Sequence, residues 1–228
     1  MATPDVSRTW VIVPAFNEAE VVRSTVRELL EVFAHVVVVD DGSRDGTAQE
    51  ARRAGARVIR HPINLGQGAA LESGVRFALK DPCAEAFVSF DADGQHQVSD
   101  ALRMLEALAS SEANVVFGTR FGDRPSVGIP RAKRLLLSLA RRQVNFVSGL
   151  RLSDAHNGLR VFDRRMAAAM RFQHRGMAHA TEFAQIVGRH GFTYVEVPIT
   201  VRYTAYSLRK GQSSLNAINI LHEMFWRR

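Results

Sequence analysis

His35-Val36-Val37-Val38-Val39-Asp40-Asp41-Gly42-Ser43-Arg44-Asp45-Gly46-Thr47 is the stretch on which the fold turns. Four consecutive valines leave no wet face, the pattern of a parallel strand covered by helices on both sides. The run stops at two carboxylates and a glycine. A helix then follows from about Asp45 to Ala54 and is stopped by Gly55. That is one βα unit, and the chain repeats it in both directions.

Upstream, Trp10-Val11-Ile12-Val13-Pro14-Ala15 reads as a buried strand ended by Pro14. Asn17 is expected to cap the next helix, with Glu20 completing a capping box and Val22, Val26, Leu29, Leu30 and Phe33 on its buried face. Downstream come a strand at Arg57 to His61, a helix from near Gly66 and a strand at Ala86 to Phe90 that ends at Asp91. A helix at Val98 to Leu108 and a strand at Asn114 to Gly118 complete the series. Repeated βα units with short links predict an α/β fold, an open, mostly parallel sheet flanked by helices. Ligands of such sheets sit beyond the carboxyl ends of the strands. By that rule one edge collects Asp40, Asp41, Asp91 and Asp93, with Arg120 beside them. After Gly122 the alternation fades into a helical elaboration, with a strand over Thr193 to Val201 and a last helix near Ser213 to Trp226. The expectation is a single domain over 1–228 in two halves, about 1–122 and about 123–228.

Asp91-Ala92-Asp93-Gly94-Gln95-His96 carries the most chemistry. Two carboxylates at i and i+2 in a turn can share a cation, and Mg²⁺ or Mn²⁺ prefers such hard oxygens and bridges to phosphates. Alone, the pair equally suits capping of the helix that starts near Ser99. Its weight comes from Asp40 and Asp41, acids that are costly at the end of an apolar strand unless they are paired or hydrogen-bonded. A carboxylate there suits a ribose or a base, and Gly42 and Ser43 let the backbone pass close to a ligand. Asn64-Leu65-Gly66-Gln67-Gly68-Ala69-Ala70 fits either a phosphate at a helix start or close packing of the helix on the sheet. Packing is the favoured reading, and the spacing matches neither a P-loop nor a dinucleotide fingerprint.

The 228 residues carry a net charge of +7, which asks for an acidic partner. Nucleic acid is disfavoured, because the carboxylate cluster would repel phosphates without a metal and no recognition motif is present. One cysteine, Cys83, excludes an internal disulfide and fits a reducing compartment. No apolar run approaches the ~20 residues of a spanning helix. The run at Trp10 to Val13 is too short for a signal-peptide core. A cytoplasmic protein, peripheral on the cytosolic face of a membrane, is expected.

Val13-Pro14-Ala15-Phe16-Asn17-Glu18, Val39 to Thr47, Asn64 to Ala70, Asp91 to His96 and Gly118-Thr119-Arg120 occur in the order seen in family 2 glycosyltransferases. The chain resembles in particular the dolichyl- and polyprenyl-phosphate mannose and glucose synthases. Asp154-Ala155-His156-Asn157-Gly158-Leu159-Arg160 is similar to the family's later D-x-x-x-G-[FL]-R segment. The resemblance implies a GT-A fold and metal-dependent, inverting transfer of a hexose from a UDP-glucose or GDP-mannose type of donor to a polyprenyl phosphate. It places Pro14, Ala15, Glu18 and Asp40 on the nucleoside, with Asp41, Ser43 and Asp91 in the same nucleotide site. Asp91, Asp93 and Gln95 would hold Mg²⁺ or Mn²⁺ and the diphosphate. Arg120 and Arg134 would face the acceptor phosphate, with Arg131, Arg209 and Lys210 as further candidates. Asp93, Arg120 and Arg134 are the candidate catalytic residues, and the roles of Asp154, Arg160 and Glu182 stay open. Two departures concern the acceptor and the sugar: Gly94 stands where these synthases usually have Leu, and Tyr206 to Ser214 only approximates their basic loop.

Arg131 to Val147 has helical spacing with Arg131, Arg134, Ser138, Arg141, Arg142 and Asn145 on one face and Leu135, Leu136, Leu139, Ala140, Phe146 and Val147 on the other. Such a helix suits either an anionic membrane surface or a core-facing position. The Ile218, Leu221, Phe225 stripe suits an interface or a small membrane partner protein. A glycan or small-molecule hydroxyl acceptor is the alternative, with Asp154 or Glu182 as base. A phospho-receiver signalling domain also has paired acids after a strand, but it is shorter and lacks the βα unit before them.

Overall fold

The computed structural model describes residues 5–120, 141–172, 179–202 and Tyr206. Seven strands form one sheet in the order β3-β2-β1-β4-β6-β5-β7. They are β1 (Thr9–Ala15), β2 (His35–Asp40), β3 (Arg57–Arg60), β4 (Ala86–Ser89), β5 (Val115–Thr119), β6 (Arg160–Asp163) and β7 (Tyr194–Pro198). The described helices are α1 (Val22–Leu30), α2 (Thr47–Ala54), α3 (Gln67–Ala78), α4 (Val98–Ser110), α5 (residues 141–148), α6 (Arg164–Ala169) and α7 (His179–Arg189). The expected α/β architecture is present, and every pairing is parallel except those of β6 with β4 and β5.

Alternation along β1 shows why the sheet is covered on both faces. Trp10 and Ile12 join Leu71, Phe87, Phe117 and Phe183 in one core, whereas Val11 and Val13 join Val22, Val26, Val36 and Met104 in the other. Apolar residues of α3, α6 and α7 pack in the first layer, and those of α1 and α4 in the second.

Three expectations are corrected. Pro14 does not end β1, which continues to Ala15. The carbonyl of Ile12 faces β4, where it accepts from Phe90 N, and that of Ala15 faces β2, where it accepts from Asp41 N. Pro14, in phase with Ile12, therefore turns its missing N–H toward β4 beyond the end of that strand, where the ladder loses nothing. Asn17 does not cap α1. The helix starts at Val22 after an N-cap Val21 with no side-chain bond, and Asn17 sits at φ 55°. Its Oδ1 accepts from Arg44 N and its own N–H donates to Ser43 Oγ, tying the β1 turn to the β2 turn. The third correction is β6, a strand inside chain read as helix-rich.

β6 matters for function because of its direction. It runs antiparallel between β4 and β5, so its first residue, Arg160, lies at the edge where its neighbours end. The incoming segment from Asp154 to Gly158 is thereby delivered to the same edge as Asp91 and Arg120. The helix expected over Arg131–Val147 is described only in α5, where Val144 is buried while Phe146 and Val147 are exposed. The last helix near Ser213 to Trp226 lies outside the described residues. Among the described residues no helix is long and apolar enough to cross a membrane.

Candidate active site

The strand order reverses between β1 and β4, since β1 leads to β2 on one side and β4 returns on the other. That switch point is where open α/β sheets take ligands. Pro14 and Ala15 end β1 there, with Ala15 level with Asp40 at the end of β2. Asp40 is 1% exposed. Its Oδ1 accepts from Ser43 N at 2.9 Å, while Oδ2 stands 3.3 Å from Arg60 Nε but accepts no hydrogen bond. A buried carboxylate oxygen with no donor is an acceptor held ready for one. Ser43 is also buried, its Oγ taken by Asn17 N.

Asp41 is built differently from Asp40. Oδ1 accepts from Leu65 N at 2.9 Å and lies 2.7 Å from His61 Nδ1, and Oδ2 accepts from Gly66 N at 2.7 Å. Its carboxylate is committed to the 61–66 loop, the protein's own backbone taking the place a ligand would have. The same bonds use the N–H groups of Leu65 and Gly66, in accord with the packing reading of Asn64 to Ala70. Gly42 lets that loop cross: a Cβ there would lie 2.5 Å from the Ile63 carbonyl carbon, at φ +74°. On the β1 side, Glu18 is buried, its N–H donating to Thr47 Oγ1, and Oε2 accepts from Tyr206 Oη at 2.6 Å. Burial, then the bond and charge of Glu18, push the Tyr206 phenol upward, which keeps it a neutral donor.

Asp91 and Asp93 follow β4. Neither caps α4, whose N-cap is Gln97. Asp91 Oδ1 accepts from Gln67 Nε2 at 3.1 Å, and Oδ2 lies 3.0 Å from His96 Nε2. Burial alone would raise its pKa, but the hydrogen bond and charge of His96, with His179 and Arg160, outweigh burial and lower it. Asp93 goes the other way. Burial, then the negative charge of Asp91, raise it to about 6 against the partial relief of the Gln95 N–H bond at 3.1 Å. Asp93, Gly94, His96, Phe90, Thr25, Glu28, Arg202 and Tyr206 line a cavity of about 210 Å³.

These two acids fit a divalent cation in the chemistry of their donors: hard oxygens, with the Asp93 carboxyl raised by burial and then by the charge of Asp91. Among the described residues no three of His, Cys, Asp and Glu converge as a closed cage. An open pair of carboxylates is what a cation that also binds substrate phosphates uses.

On the β5–β6 side, Arg120 grips Asp154 bidentately, Nε to Oδ2 at 2.7 Å and Nη2 to Oδ1 at 2.9 Å, and its backbone N–H adds 3.1 Å to Oδ2. Burial opposes ionisation of Asp154, but Arg120 prevails and holds its pKa down. Beside this pair burial lowers His156. Arg160 is 1% exposed, its guanidinium 4.6 Å from the Phe183 ring centroid, and Nε, Nη1 and Nη2 donate no hydrogen bond. Glu182 is buried on α7.

Of the candidates in the sequence, the structure brings Pro14, Ala15, Asp40, Asp41, Asp91, Asp93, Arg120, Asp154 and Arg160 to one edge. Arg131, Arg134, Arg209 and Lys210 lie outside the described residues. Gln67, His61 and Tyr206 were not anticipated. Gln67 and His61 belong to segments whose helix and strand were legible but whose side chains reach across loops, and Tyr206 is remote in sequence from Glu18.

The model of the glycosyl transferase family 2 matches residues 10–170. A polyprenol monophosphomannose synthase from Mycolicibacterium smegmatis is 30% identical, over 96% of this chain and 84% of that protein. A UDP-N-acetylglucosamine–dolichyl-phosphate N-acetylglucosaminyltransferase from Methanococcus voltae is 26% identical over 94% of each. Among solved structures, glucosyl-3-phosphoglycerate synthase from Mycobacterium tuberculosis, in complex with Mn²⁺, UDP-glucose and phosphoglyceric acid, superposes with a TM-score of 0.66 at 18% identity, over 94% of this chain and 78% of that one.

Proposed function

This chain belongs to glycosyl transferase family 2 and is a glycosyltransferase of GT-A fold, and from that premise we propose that it moves a hexose from a nucleotide-sugar donor to a polyprenyl phosphate, with inversion and with Mg²⁺ or Mn²⁺. The relatives named for dolichyl and polyprenol phosphates support the acceptor, and the related fold crystallised with Mn²⁺ and UDP-glucose supports the metal and the donor class. The observation that carries the reading is the pairing, at one switch point, of a buried carboxylate oxygen lacking a donor (Asp40) with an open pair of acids (Asp91, Asp93).

Asp40 Oδ2 would accept from a base or ribose, with Pro14, Ala15 and Glu18 as the other nucleoside contacts. Asp41 and Ser43 would shape that pocket through the loops they hold. Asp91 and Asp93, with Gln95, would hold the cation. When bound, a divalent cation neutralises charge developing on the leaving nucleoside diphosphate. The acceptor's phosphate oxygen attacks the anomeric carbon from the face opposite the leaving group, forming the new C–O bond as the bond to the diphosphate breaks. A phosphate monoester is already anionic at neutral pH, so positioning and charge, not a base, carry the rate. Arg120, with Arg134, Arg131, Arg209 and Lys210, would supply cationic contacts to the acceptor.

Asp154 favours this reading over a hydroxyl acceptor. Its carboxylate is gripped by Arg120 and its pKa held down, which suits a structural anion and not a general base. The second half of the chain would meet the bilayer from the cytosolic side. The exposed Phe146 and Val147 beside Arg142 suit an anionic interface, and a small membrane partner is a further candidate for that contact.

Product stereochemistry tests the reaction. An α-linked donor should yield a β-linked sugar phosphate by proton NMR, made only with added metal. An α-linked product would refute single displacement, and undiminished turnover in EDTA would refute the metal.

A further inference from the structure

Arg160 is a fully buried charge at this edge of the sheet that the reaction above does not use. It is also costly to keep. A guanidinium shut away from water normally needs acceptors for its donors, yet here Nε, Nη1 and Nη2 have none and the cation rests on the Phe183 ring. Stability alone would favour an apolar side chain of similar length at this position. A charge retained at such cost, at the edge of the sheet that gathers the functional residues, points to a task there.

Gly158, two residues before it, packs against Asp91. Its Cα lies flat against the Asp91 carboxylate, so that a Cβ would fall 2.6 Å from Asp91 Cγ and overlap an oxygen. Asp91 is thus held by Gln67 on one oxygen, by His96 on the other, and by the bare backbone of the 154–160 segment against its face. Arg160 anchors that segment as the first residue of β6, level with Ser89 of β4 and Phe117 of β5, and its charge is among those acting on Asp91.

We propose that Arg160 is a positioning residue that acts through Asp91: its buried charge draws the Asp91 carboxylate onto Gly158 and fixes the orientation in which that carboxylate receives the divalent cation. The proposal rests on the reading of Asp91 and Asp93 as metal-holding acids, and it makes a demand that proximity of charge does not. A guanidinium that merely sits near a cation repels it, so its removal should tighten metal binding. A guanidinium that orients the ligand should, when removed, weaken binding while relieving the burial cost.

The test compares wild type, Arg160→Met, Arg160→Lys, Gly158→Ala and Asp93→Ala. Each is measured for Mn²⁺ affinity by electron paramagnetic resonance, for metal-free binding of the nucleoside and for thermal midpoint in EDTA. Positioning predicts that Arg160→Met binds Mn²⁺ at least tenfold more weakly, binds the nucleoside as wild type does, and melts higher. Arg160→Lys should recover part of the affinity, and Gly158→Ala should lose it with Arg160 in place. Equal or tighter Mn²⁺ binding in Arg160→Met overturns the proposal, as does a lower midpoint with nucleoside binding lost in parallel, which is the signature of a structural residue. Mn²⁺ binding by wild type that survives Asp93→Ala would instead sink the metal reading of the acids, and this proposal with it.

Discussion

Asp93 should cost the metal-free protein stability at neutral pH that it does not cost at acid pH, and Asp93→Asn should remove that contribution. Its carboxyl is raised from an ordinary 3.8 to about 6 by burial and by the charge of Asp91. A raised folded-state value means that the folded chain binds more protons than the unfolded one between those limits. The protonated side chain therefore favours the fold at low pH, and that advantage is lost as pH rises through about 6. The full penalty at pH 7.5 is about 3 kcal/mol at 1.36 kcal/mol per unit, and the partial exposure of Asp93 trims it to roughly 1.5–3 kcal/mol. For a domain of this size that is about 3–12 °C in midpoint. The assay is thermal unfolding followed by circular dichroism in EDTA. Asp93→Asn should melt higher than wild type at pH 7.5, with a gain cut to about a third at pH 4.5. Saturating Mn²⁺ should lift wild type at pH 7.5 and leave Asp93→Asn unmoved. An Asn variant no more stable than wild type at pH 7.5, or equally stabilised at both pH values, would refute the account of burial and like charge at Asp93.

Other parts of the site make their own demands. Asp40→Ala should abolish nucleoside binding by calorimetry while leaving Mn²⁺ binding within about threefold, because Asp40 ends β2 whereas Asp91 and Asp93 follow β4; parallel loss of both would contradict the division of labour. Arg120→Ala strands the buried Asp154 carboxylate and should cost about 3–5 kcal/mol in urea unfolding, whereas Arg120→Lys should cost less. Gly42→Ala should destabilise by more than about 2 kcal/mol, since its Cβ meets the Ile63 backbone at a positive φ, and a near-neutral result would contradict the crossing of those two loops.

Much of this was legible along the chain because it is local. The valines of β2, the alternation of β1 and the acids just past each strand each follow from a period or a turn within a dozen residues. What escaped is non-local or small. β6 is four residues long and opens with a buried arginine, so neither length nor composition marks it as a strand, and its antiparallel entry depends on both neighbours. Asn17 has a capping residue's chemistry, yet its side-chain oxygen is claimed by Arg44 N in the turn after β2, 27 residues away. Asp41 and Asp40 are indistinguishable in sequence. Only the path of the 61–66 loop decides that one is saturated by backbone and the other keeps an oxygen with no hydrogen bond. The same holds for Gly158, an ordinary turn glycine until the Asp91 carboxylate is seen against it.

The central claim is transfer of a hexose to a lipid phosphate, and it is tested most directly by radiolabel from UDP-glucose or GDP-mannose entering an organic-extractable product with Mg²⁺ or Mn²⁺ present. The account predicts label that requires added polyprenyl phosphate and disappears in Asp93→Ala. Label that stays in the aqueous phase on a soluble acceptor, with the lipid phosphate inert, would contradict it.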